Sequence, residues 1–236
     1  MDQLTKEFFS EPFPGFASAF TVEKNPLQTN IPLVELDYNI DYHNLYNIAQ
    51  QIPCSKSIRT QYPYEENQPR HTHWDITVLW NDGTVEPYID DLYYRKQGQV
   101  YPATEINPGT FGLEIKNIVE GSTGLKIRGA LMSIFRAQGY FRPHRDIKLI
   151  NDPLSYFWIP LNNPVGNKAK LYPYGDIDIK LGAVYLFNQE NYIHAVANTS
   201  YEDRYVLVGY LDHIQTPTVN DKIINAILDQ YPQASL

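Results

Sequence analysis

Gly139-Tyr140-Phe141-Arg142-Pro143-His144-Arg145-Asp146, read with Ile193-His194-Ala195-Val196-Ala197-Asn198 and with Arg204, decides how this chain folds. Residues i and i+2 of a strand point to one face, about 7 Å apart along the chain. On a helix the same spacing throws them to nearly opposite sides. His144 and Asp146 therefore reach a common ion only if the stretch is extended. Tyr140, Phe141 and Ile147 favour that, and Pro143 fits a strand entrance or edge. His194 lies in the second of two short apolar runs, 183–187 and 193–197, that read as strands. Arg204 opens a further apolar run, 205–208, after the turn-like residues 198–203.

Outward from this core, residues 125–135 lead into the His144 strand, 155–161 form another apolar run, and 162–167 and 172–175 read as turns. Residues 176–180 alternate cleanly, with Asp176 and Asp178 on a solvated strand face rather than on a metal. Leu181-Gly182 fits a tight turn. Upstream, residues 1–35 carry five Phe among Pro and Gly with no sustained period, and read as an irregular arm packed on the core. Residues 41–52 place Leu45, Ile48, Ala49 and Ile52 at helical spacing, with Asp41 as cap and Pro53 as stop. Residues 76–80 and 84–89 around Asn81-Asp82-Gly83 read as a hairpin. Residues 111–119 fit a helix that Gly121 would end, and 220–229 an amphipathic helix. The chain is expected to be one domain over 1–236: an arm, helices and outer strands in 1–125, a metal-bearing core in 126–213 and a C-terminal helix in 214–236. The fold class is mostly β with peripheral helices, a double-stranded β-helix or cupin-like jelly roll.

Two imidazoles and one carboxylate on one face leave three adjacent coordination positions open, the facial arrangement of non-haem iron(II) oxygenases. His144, Asp146 and His194 are accordingly the expected ligands. A planar guanidinium at Arg204 would grip a carboxylate bidentately; its alternative is an exposed ion pair with Glu202 or Asp203, worth little. A His-x-Asp match alone is weak, and the chain holds a second one, His73-Trp74-Asp75. What separates the two is that only the first is followed by His194 and Arg204. His73 is read as structural or as a pocket wall. Arg142 shares a face with His144 by alternation and is a candidate for co-substrate or substrate contact. Tyr156, Trp158 and Trp80 are further pocket candidates, with core packing as their alternative.

The span 133–212 resembles the aspartyl/asparaginyl beta-hydroxylase family of Fe(II)/2-oxoglutarate oxygenases, nearest its bacterial cis-proline hydroxylase branch. The likeness is carried by Gly139 with Pro143-His144-Arg145-Asp146, by Ile159-Pro160-Leu161-Asn162-Asn163, by Leu181-Gly182, by His194 with Asn198, and by Arg204 with Leu207. Trp74 and Val78-Leu79-Trp80-Asn81 resemble the family's N-terminal strand faintly. The chain departs from the family at Tyr156 and Trp158, where a basic residue and a His often stand. The resemblance implies the same β-helix fold, Fe(II), 2-oxoglutarate as co-substrate with its distal carboxylate on Arg204, and O2. It implies hydroxylation of an unactivated C–H, with a free amino acid or similar small zwitterion as first substrate class and a peptidyl Asp/Asn as second. A reading of another class is a non-catalytic, metal-binding cupin-like sensor.

Composition bounds the rest. A net charge of -8 argues against a broad phosphate-binding face, so nucleic acid is not an expected partner. Cys54 is the only cysteine, which excludes an internal disulfide and a multi-thiolate metal site. No leader-like or 18-residue apolar segment is evident, so neither membrane nor secretion is expected. A small-molecule substrate and a cytoplasmic, reducing setting that keeps iron ferrous fit this picture. The sequence carries no signal of oligomeric state.

Overall fold

The computed structural model describes residues 31–51, 73–80, 109–135, 137, 140–145, 154, 156–172, 174–189, 191–212 and 215–233; for 73–80, 109–110, 140–142 and 144 it describes the backbone alone. Among these residues ten strands form two antiparallel sheets. Eight of them follow one another through the core: β3 (Ile127–Phe135), β4 (Tyr140–His144), β5 (Tyr156–Pro160), β6 (Asn167–Leu171), β7 (Gly175–Asp176), β8 (Val184–Phe187), β9 (His194–Asn198) and β10 (Arg204–Leu211). Apart from the β6–β7 hairpin, each successive strand changes sheet. One sheet contains β8-β5-β10-β3 and the other is β4-β9-β6-β7. That order is the expected double-stranded β-helix. β1 (Leu33–Leu36) and β2 (His73–Trp80) widen the first sheet, β1 beside β8 and β2 beside β3.

Strand alternation sorts the apolar residues into two layers. Met132, Ile134, Phe157, Ile159, Val184, Leu186 and Leu207 face outward under helices α1 (Tyr42–Gln51), α2 (Gly109–Thr123) and α3 (Pro217–Gln230), which contribute Leu45, Ile48, Ile115, Val119, Val219 and Ile227. Trp158, Tyr185, Val206 and Val208 face the other way and meet Ala169 and Val196 of the second sheet. The space between the sheets therefore has an aromatic wall on one side and small residues on the other.

Local chemistry explains the element ends. The Asp41 carboxylate accepts from the Asn44 amide at 3.1 Å, the expected cap of α1. Helix α2 runs through Gly121 and stops at Gly124, whose φ of 74° and amide bond to the Glu120 carbonyl at 2.8 Å make it the terminator in place of Gly121. Helix α3 starts earlier than its apolar pattern, because Thr216 accepts from the Val219 amide and Pro217 opens the first turn. The arm expected over residues 1–35 contains β1 at its end, paired with β8 from Leu33 opposite Phe187 to Leu36 opposite Val184. Its outer edge is closed by the Gln230 amide, which donates to the Glu35 carbonyl at 2.6 Å and accepts from the Glu35 amide at 2.9 Å.

The strand expected over 176–180 is cut short after Asp176. There the Tyr185 hydroxyl takes over the backbone, donating to the Asp178 carbonyl at 2.9 Å and accepting from the Lys180 amide at 3.0 Å. The return strand of the hairpin at 84–89, Cys54 and residues 1–30 lie outside the described residues. No helix among the described residues is long and apolar enough to cross a membrane.

Candidate metal and anion site

His194 begins β9, and the turn before it is tightly held. Asn188, fully buried, donates through its amide nitrogen to the Ile31 carbonyl at 3.3 Å and through its backbone to Pro32 at 3.0 Å. Its side-chain oxygen accepts from Asn191 at 2.6 Å, and its carbonyl from the Tyr192 amide at 3.2 Å. The Tyr192 carbonyl thereby stands 3.2 Å from Nδ1 of His194. A carbonyl only accepts, so this contact suits the tautomer with the proton on Nδ1, the arrangement that orients a metal-binding imidazole. The imidazole meets Phe187 of the opposite sheet edge-on, with centroids 4.9 Å apart at 84°, which places it between the sheets.

The β4–β9 ladder sets position 144 directly opposite position 194. Directly opposed positions are the closest pair two strands offer, with Cβ atoms about 5 Å apart. The register slips between Phe141 and His144, where Pro143 has no N–H to give the ladder. The strict alternation that grouped Arg142 with His144 is therefore broken between them. The side chains of Arg142 and His144, and the whole of Asp146, lie outside the described residues, as does His213. Among the described residues no group of three His, Cys, Asp or Glu could hold a metal.

Arg204 opens β10 opposite Phe135 and is 0% exposed. Its guanidinium lies 5.4 Å from the Phe135 ring and 5.3 Å from the Trp158 ring, and among the described residues none of its three nitrogens has a hydrogen-bond partner. Burial pushes its pKa down to about 9. The exposed ion pair with Glu202 or Asp203 is thus not formed. The Asp203 carboxylate instead accepts from the Ala137 amide at 2.9 Å.

Both neighbours of Arg204 are clamped by one side chain. Asn162 donates to the Asp203 carbonyl at 2.8 Å and accepts from the Tyr205 amide at 2.7 Å. Asn198, fully buried, donates to the Phe135 and Glu202 carbonyls at 3.0 and 2.7 Å and accepts from Ser200. The loop and the facing strand are thereby tied into one frame. A cation held between two rings, with no acceptor among the described residues, has the geometry to take a planar anion.

The remaining candidates fall along this interior. Trp158 stacks between Arg204 and Tyr185, 5.2 Å from the latter ring. Tyr156 stands edge-on to Tyr210 at 5.3 Å and 6.5 Å from Phe187. The ladder puts position 73 opposite Phe135, in the row of Arg204, and position 80 opposite Gly129, in the row of Tyr210. A slip between Thr77 and Leu79 is what brings both positions into interior rows. Phe135, Asn162, Tyr210 and Gln189 carry positioning or polar roles that the sequence reading did not assign. For Gln189 the signal was available, since it continues the alternation 185, 187, 189.

No family model matches the chain, and no curated protein matches it. Among solved structures it is similar to an oxidoreductase of the 2OG-Fe(II) oxygenase family from Burkholderia pseudomallei, at 12% identity and a TM-score of 0.46 over 73% of this chain and 79% of that one. It is similar to the non-haem alpha-ketoglutarate-dependent epimerase SnoN from nogalamycin biosynthesis, at 12% identity and 0.47 over 79% of each. A Pseudomonas putida prolyl-4-hydroxylase follows at 12% identity and 0.42, over 78% of this chain and 94% of that one.

Proposed function

We propose that the chain is an Fe(II)- and 2-oxoglutarate-dependent dioxygenase that hydroxylates a small amino-acid-like substrate. The observation that carries this is Arg204: a fully buried, unpartnered guanidinium held between Phe135 and Trp158 in the same inter-sheet space as His194. A buried cation without an acceptor is costly unless a ligand supplies one. The distal carboxylate of a bound co-substrate does so.

His194, His144 and Asp146 would hold the ion: His194 through Nε2 with Nδ1–H on the Tyr192 carbonyl, His144 from the position opposite it in the ladder, and Asp146 with its carboxylate. When bound, iron(II) with 2-oxoglutarate and O2 supplies the oxidising power for C–H hydroxylation, coupled to decarboxylation of the co-substrate. The chain supplies position and environment. Arg204 binds the distal carboxylate bidentately, while Phe135 and Trp158 keep water away and strengthen that pair. Asn162 and Asn198 hold the strand from which Arg204 projects. No protein base is needed for the hydrogen abstraction.

Anaerobic titration of the metal-free protein with iron(II) and then 2-oxoglutarate tests the proposal through the visible metal-to-ligand charge-transfer band. The band is expected with wild type and absent in His194→Ala. Its absence from well-folded wild type refutes the proposal and favours the sensor reading.

A further inference from the structure

At the His194 end of the interior lies a cluster that co-substrate binding leaves unused. Gln189 is 3% exposed; its side-chain nitrogen donates to the Tyr210 hydroxyl at 3.4 Å, and its oxygen is buried with no hydrogen-bond partner. The Tyr210 ring abuts Tyr156 edge-on at 5.3 Å, Tyr156 lies 6.5 Å from Phe187, and Phe187 touches the His194 imidazole at 4.9 Å. Tyr210 is six residues along β10 from Arg204, about 20 Å of strand, so this cluster lies outside the reach of the guanidinium. A buried carbonyl oxygen without a donor is costly and is relieved by a ligand N–H. None of the described side chains of the cluster is charged. A buried amide oxygen next to Tyr210, at the end of the row Tyr210, Tyr156 and Phe187, suits a group that is both an N–H donor and a cation.

Resting on the oxygenase reading, we infer that Gln189, Tyr210, Tyr156 and Phe187 form the subsite for the amino group of the primary substrate, with the Gln189 Oε1 accepting its N–H. The consequence is selectivity. A free ammonium satisfies both the oxygen and the rings, whereas an acylated nitrogen has lost its charge and gained bulk. The subsite therefore selects a free amino acid over a residue within a peptide.

The test is calorimetric titration of protein loaded with Mn(II) and 2-oxoglutarate, which does not turn over, with the common free L-amino acids and their N-acetyl forms. At least one free amino acid is expected to bind, with its N-acetyl form at least tenfold weaker. Gln189→Leu is expected to weaken that binding at least tenfold while leaving the 2-oxoglutarate titration unchanged, and Gln189→Glu to retain it. Equal binding by Gln189→Leu, equal binding of the N-acetyl form, or no amino acid bound by protein that does bind 2-oxoglutarate overturns the inference. Failure of the wild type to bind 2-oxoglutarate is a separate result; it overturns the function proposal and this subsite with it.

Discussion

At Arg204 a charge has given up its water and received only two aromatic faces in return. Below about pH 9 the folded, ligand-free chain carries that charge at full cost; above it the proton leaves the folded state while the unfolded chain still holds it. This residue's contribution to stability therefore improves as pH rises from about 9 towards the ordinary guanidinium value. Replacing it with a similar-sized apolar residue removes the cost. Arg204→Met is expected to raise the stability of the ligand-free protein by about 1–4 kcal/mol in chemical denaturation and to weaken 2-oxoglutarate binding at least a hundredfold. A destabilised Arg204→Met protein refutes the unpaired-charge account.

The same residue sets a pH limit on binding. Only the protonated guanidinium attracts the carboxylate, so affinity is expected to be flat below about pH 9 and to fall up to tenfold per pH unit above it. Isothermal titration across that range checks the direction, and Arg204→Met should show no such fall. The sequence offered Arg204 with its alternatives open, because the acidic neighbours Glu202 and Asp203 read equally well as its partners. Only the Ala137 amide, 66 positions away, shows that the Asp203 carboxylate is engaged elsewhere.

Among the elements, β10 bears the most constraint. A Cβ on Gly209 would stand 2.1 Å from the Gly129 carbonyl oxygen and 2.9 Å from Ala130 Cα, both backbone atoms of the neighbouring strand. Gly209→Ala must push β10 off β3, and is expected to cost about 1–3 kcal/mol and to weaken 2-oxoglutarate binding, since Arg204 rides on the same strand. A thermal melt compared with a 2-oxoglutarate titration reads both effects.

Strands β5, β8, β9 and β10 were legible because their interiors are apolar runs bounded by turns. β6, Asn167-Lys168-Ala169-Lys170-Leu171, was not: two lysines disguise it, although Lys170 is 1% exposed. β1 was hidden for another reason. Four residues carry too little periodicity of their own, and their pairing with β8 and the Gln230 clasp come from distant parts of the chain. The stretch Tyr140–His144 is extended as its residues imply, while the register slip beside Pro143 breaks the strict alternation between Arg142 and His144.

Over the whole molecule, the two sheets contribute different halves of the candidate site. The second sheet carries positions 144 and 194, while the first carries Arg204, Trp158, Phe187 and Tyr210. Ligand binding across that space is expected to stabilise the entire fold: 2-oxoglutarate with a divalent metal, at a hundred times its Kd, adds about 2.7 kcal/mol. Arg204→Met should lose most of that gain in a thermal-shift assay.

The crossing of the chain from sheet to sheet also governs the order of events during folding. Neighbouring strands in a sheet are seldom neighbours in sequence, and β3 pairs with β10 from the far end of the core, so loops must close before the ladders reward them. The cleft between the sheets is then among the last features to exist. An ion or co-acid that binds only this assembled cleft is expected to act as a latch on the finished fold, slowing escape without hastening arrival.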